Sequence, residues 1–90
     1  MSDLREKQPK ERTLDFRHDT KGAYSWAIEI EVWPYSSIKN ENVYSRYVTV
    51  LCSAENSIQA HRYGDMIRHT ISLAHDVWQT NIWSVSRVPI

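Results

Sequence analysis

Between Ala23 and Trp33 apolar and polar positions alternate. Trp26, Ile28, Ile30 and Val32 share one parity, and Ala27, Glu29, Glu31 and Trp33 share the other. Successive side chains of a strand point to opposite faces, so a period of two in a run rich in β-branched and aromatic residues predicts a half-buried strand. Pro34 ends it, and the polar stretch Tyr35 to Asn42 reads as a loop. A second strand is predicted from Val43 to Cys52. Val48, Val50 and Cys52 form its apolar side, with Ser45, Tyr47, Thr49 and Leu51 opposite. A hairpin that pairs Trp33 with Val43 sets Glu29 opposite Tyr47, Ala27 opposite Thr49 and Trp26 opposite Val50. Both apolar sets then fall on one face, an arrangement that a one-residue slip would destroy.

After Ser53, a suitable N-cap, the period changes to that of a helix, expected from about Ala54 to Trp78 with Glu55 in its first turn. Ala60, Tyr63, Gly64, Ile67, Ile71, Ala74 and Trp78 form one stripe, flanked by Met66, Leu73 and Val77, while Arg62, Asp65, His69, Ser72 and Asp76 lie opposite. Gly64 costs roughly 1 kcal/mol in a helix interior relative to Ala, and its place on the stripe suggests a close helix–sheet approach. Gln79 to Asn81 reads as a turn. Ile82 to Ile90 reads as a third strand, with either Trp83 and Val85 or Ile82 and Val88 facing inward. The expected fold class is α+β: a small three-stranded antiparallel sheet in β-β-α-β order with one helix on one face.

Residues 1–22 show neither period. Lys and Arg (Arg5, Lys7, Lys10, Arg12, Arg17, Lys21) nearly balance the acids (Asp3, Glu6, Glu11, Asp15, Asp19), and Pro9 interrupts any early helix. Such a segment buries too little to offset the entropy of ordering, so it is expected to be a flexible charged arm, followed by a single domain over 23–90. Its apolar Leu14 and Phe16 are the side chains with which it can dock on that domain. Composition then narrows the class of protein. Eleven Lys and Arg cancel eleven Asp and Glu, so no whole-molecule field draws the chain to nucleic acid or an anionic membrane. No apolar run approaches the ~20 residues of a membrane span, and the first residues lack the apolar block of a signal peptide. A soluble, cytoplasmic protein is expected. Four Trp and five Tyr raise the expectation of a binding surface, because large aromatics anchor interfaces as well as cores.

The candidate chemistry is sparse. One cysteine, Cys52, excludes an intrachain disulfide and leaves almost no route to a cysteine zinc site; in its apolar run it reads as a small buried hydrophobe. His61, His69 and His75 are eight and six residues apart, not the three or four that let two imidazoles on a helix reach one ion, so no metal site is expected. His61, Arg68 and His75 share one lateral edge of the expected helix, a mildly basic strip with little more than one full charge. Glu29 and Glu31 share a strand face about 7 Å apart, with no evident pocket to separate their pKa values. No Gly-rich phosphate loop, G-x-S-x-G or C-x-x-C is present. Neither an enzyme nor a cofactor is expected.

What remains is the sheet face that one helix leaves open, where Glu29, Glu31, Trp33, Tyr47 and Leu51 combine apolar surface with acids. That is the composition of a contact patch. The expected function is protein binding, as an adaptor or inhibitor, to a partner protein or to a second copy in a homodimer, with His61, Arg68 and His75 as a lesser contact strip. No motif matches a family residue by residue. In size and composition the chain has the general look of the small accessory proteins of phages and other mobile elements. The alternative is nucleic-acid binding by the aromatic face and the N-terminal arm.

Overall fold

The computed structural model describes residues 12–40, 42–74 and 76–89. Four strands, β1 (Arg12–Asp15), β2 (Tyr24–Pro34), β3 (Arg46–Ala54) and β4 (Val77–Arg87), form one sheet in the order β1-β3-β2-β4. A one-turn helix, α1 (Ser36–Lys39), follows β2, and the principal helix, α2 (Ser57–Ser72), links β3 to β4. The class is mixed α+β as expected, with one strand and one short helix more than the sequence pattern suggested.

The alternation in β2 carries the core. Ile28 and Ile30 are fully buried and Val32 nearly so, and opposite them Val50 and Cys52 are fully buried on β3. Each such side chain contributes on the order of 1.5–3 kcal/mol through burial, whereas the exposed Asp65–Arg68 ion pair on α2 adds little. The inner sheet face is therefore the main source of stability. β2 and β3 pair antiparallel, but the register differs by two residues from the one expected: Glu29 faces Thr49, Glu31 faces Tyr47 and Trp26 faces Cys52. An even shift preserves which side chains face the core, so the apolar pattern alone does not distinguish the two registers. β3 correspondingly starts and ends later than expected.

The helix is shorter than its periodicity implied. Ser53 does not cap it: its N–H donates to Thr20 Oγ1 at 2.7 Å, its hydroxyl donates to the carbonyl of Arg17, and the strand continues through Ala54. Asn56 is the cap, its side chain accepting from the N–H of Gln59, while Gln59 Oε1 accepts from the N–H of Glu55. Ala60 and Gly64 of the stripe are buried, with Tyr63, Ile67 and Ile71 packed beside them. Gly64 does mark a close approach: a Cβ there would stand 2.9 Å from Ile28 Cγ2.

At its other end α2 stops at Ser72, and Val77 to Asn81, expected in the helix tail and turn, belong to β4. Val77 lies opposite Pro34 and Thr80 opposite Val32, both buried, so sheet pairing along β2 from Trp26 to Pro34 prevails over a longer helix. β3 and β4 are both antiparallel to β2 and flank it, so α2 carries the chain across the inner face from one side of β2 to the other. The register of β4 shifts between Glu29/Ile30 and between Trp33/Pro34, leaving Trp83 and Trp78 as the extra residues. Because a bulge reverses parity, Ile82 and Val85 both pack on the core, a mixture of the two alternatives expected.

The fourth strand comes from the segment expected to be an arm. β1 pairs parallel with β3, Leu14 opposite Val50, and Phe16 donates its N–H to the carbonyl of Leu51. Phe16 packs edge-on against Tyr63 at 5.9 Å and so docks this segment on the core. Residues 1–11 lie outside the described residues.

Candidate docking face

The sheet has one face covered by α2 and one left open. Register assigns Ala27, Glu29, Glu31 and Trp33 of β2, Tyr47, Thr49 and Leu51 of β3, and Asn81, Ser84 and Ser86 of β4 to the open face. The sequence-based set Glu29, Glu31, Trp33, Tyr47 and Leu51 is thus brought together on one surface. None of the strand residues directed to that face is Lys or Arg, and its acids in mid-sheet are Glu29 and Glu31. Cations at the opposite parity (Arg12 opposite Val48, Arg46 opposite Val32, Arg87 opposite Trp26) belong to the helix side. Arg87 stacks 3.8 Å over the ring of Tyr24 there.

Glu31 is the centre of the open face. Its Oε1 accepts from Trp33 Nε1 at 2.9 Å and from Asn81 Nδ2 at 3.5 Å; its Oε2 accepts from the hydroxyls of Ser45 and Tyr47, each at 3.3 Å. Partial burial, the largest single influence, pushes the carboxyl up. Donors from Trp33, Trp83, Asn81 and Ser45 together outweigh it and hold the group below the ordinary carboxylate range. Glu31 is therefore ionised at neutral pH, and no Lys or Arg pairs with it among the described residues.

Aromatic rings wall this carboxylate. Trp33 lies two residues along the same strand face. Tyr47 meets Trp83 edge-to-face, with centroids 6.1 Å apart and planes at 77°. Trp83 is 62% exposed. Sequence reasoning missed it because a strict alternation left its side undecided; the bulge turns it to the open face. The second bulged tryptophan, Trp78, instead donates its indole N–H to Ser37 Oγ and holds α1 near β4.

Of the lateral strip, two members lie among the described residues. His61 is exposed on α2, and Arg68 is bound to Asp65 at 3.0 Å and reaches Thr80 Oγ1 at 3.5 Å, so its charge is turned toward β4. His75, the third member, lies outside the described residues. Among the described residues no three His, Cys, Asp or Glu side chains gather as a metal site, and no helix is long and apolar enough to cross a membrane. Cys52 is buried and burial pushes its thiol up, which disfavours the nucleophilic thiolate. On the helix side a groove of about 470 Å³ beyond the end of α2 is lined by Leu14, Val32, Val48 and Ile71, with Arg12 and Arg46. Set against protein-family models, curated proteins and solved structures, the chain matches none.

Proposed function

We propose that the protein acts by docking another protein on its open sheet face, as an adaptor or an inhibitor. The partner is a different protein or a second copy of the chain. The observation that carries this reading is the aromatic set Trp33, Tyr47 and Trp83 around an ionised Glu31, which no described Lys or Arg pairs, on a face that no described element covers. Aromatic residues around a polar centre are the composition of interface cores rather than of inert surface. A single buried cysteine accords with action in the cytoplasm.

Two acids in the middle of the face, with the strand arginines on the helix side, weigh against a phosphate backbone as the ligand. The buried thiol and the scattered histidines weigh against catalysis. The test is light scattering after size exclusion, at low and high salt, together with co-precipitation from the encoding cells. Wild type is compared with Tyr47→Ala/Trp83→Ala. The expected result is an association, to self or to a discrete protein, that is nearly insensitive to salt and lost in the double variant. Undiminished association in that variant, or a nucleic acid released steeply by salt, overturns the reading.

A further inference from the structure

The open face has a chemical character more specific than apolar. Its central carboxylate is ionised, lies between aromatic rings and has no cationic partner among the described residues, where every donor that reaches it is neutral. The contacts from Ser45, Tyr47 and Asn81 are 3.3–3.5 Å long, beyond the usual range for such bonds, so these three hold the group weakly and the indoles of Trp33 and Trp83 are its main donors. A carboxylate with weak neutral donors gains from exchanging them for charged ones, whose bonds are shorter and roughly twice as strong. The hydroxyls of Ser45 and Tyr47 can rotate away without being stranded, because the face is open to solvent.

Resting on the protein-docking reading above, we propose that the face receives an arginine side chain of the partner protein, its guanidinium forked onto Glu31 and stacked on the exposed ring of Trp83, with the ring of Tyr47 at its edge. The two oxygens of Glu31 match the planar fork of a guanidinium, which also stacks on aromatic faces; the compact, strongly hydrated ammonium of lysine does neither as well. Tyr47 and Trp83 stand at 77° to each other, so a planar group lying flat on one ring meets the edge of the other. Charge complementarity is one-sided, since the strand residues of this face include acids and no Lys or Arg. A cation arriving there meets attraction from Glu31 and Glu29 and no like charge from the strands.

The four tryptophans make the proposal testable in the full chain. Trp33 and Trp83 belong to the face, whereas Trp26 donates its indole N–H to the carbonyl of Ala54 and Trp78 to Ser37 Oγ, away from it. The chain is titrated with Nα-acetyl-arginine amide while the four indole N–H resonances are followed. The expected result is a saturable shift of the Trp33 and Trp83 signals with those of Trp26 and Trp78 unmoved, and at least tenfold weaker binding of the neutral isostere Nα-acetyl-citrulline amide. Glu31→Gln should lose tenfold or more, as should Trp83→Leu, an exposed position that leaves folding intact; unchanged Trp26 and Trp78 signals verify the fold in both. Equal binding of the citrulline amide or of Nα-acetyl-lysine amide titrated in the same way, no saturable shift, or full binding by Glu31→Gln overturns the proposal. If partner association is lost in Tyr47→Ala/Trp83→Ala yet retained in Glu31→Gln, the docking face stands and the arginine assignment fails.

Discussion

At the scale of single residues, Glu31 connects the fold to the proposed interface. Its carboxyl is held below the ordinary range in the folded chain, so the folded state binds that proton less readily than the unfolded one. The resulting stabilisation is complete above the unfolded value of about 4.3 and is lost as pH falls through that value toward the folded one. The melting temperature of wild type should therefore fall more steeply than that of Glu31→Gln between about pH 5 and about pH 3, where carboxylates titrate; parallel curves would show that the carboxylate adds nothing. Gly64 tests the helix–sheet contact. Alanine there gains up to about 1 kcal/mol of helix propensity, but its Cβ would press on the fully buried Ile28, and overpacking costs roughly 1–3 kcal/mol. Gly64→Ala is expected to lower the urea midpoint at unchanged slope, and a rise would mean that the helix can back away freely. Cys52 is predicted to react with a thiol reagent only at the rate of unfolding, since it is buried and its thiol is pushed up; rapid labelling of the native chain would contradict that.

At the scale of elements, some were readable from the sequence and others were not. The inward set Ile28, Ile30, Val32, Val50 and Cys52 follows from parity, and so does the open-face set, because an even register shift leaves parity untouched. Register itself was not readable, since nothing in an alternating pattern distinguishes Tyr47 from Thr49 as the partner of Glu29. Val77 and Trp78 happen to continue the helical stripe of Ile71 and Ala74, so periodicity extended α2 into what is the start of β4. The bulges at Trp78 and Trp83 break the alternation that would have identified that strand. β1 escaped notice because four residues with one aliphatic side chain, Leu14, carry too little pattern, and its existence depends on an edge of β3 that only the tertiary fold supplies. Phe16 anchors this added edge. Phe16→Ala is expected to cost about 2 kcal/mol, less than the full core value because the ring is only partly buried. Native-state hydrogen exchange should show faster exchange in β1 than in β2; uniform loss across the sheet would mean that β1 is integral to the core.

At the scale of the whole molecule, the two faces of the sheet have separated roles. The helix side holds the apolar core together with Arg12, Arg46 and Arg87, and the open side holds Glu29, Glu31 and the aromatic walls. In a chain with no net charge the strand arginines are in this way separated from Glu29 and Glu31 by the thickness of the sheet, a property that composition conceals. On the proposed reading the open face, not the helix exterior, meets the partner. The most direct test is site-specific photo-crosslinking of the full chain in the cells that encode it, with the reactive group at Thr49 in the open face or at Arg62 on the exposed side of α2. A discrete protein adduct, to a partner or to a second copy, is expected from position 49 and none from position 62. An adduct from position 62 with position 49 silent would contradict that reading.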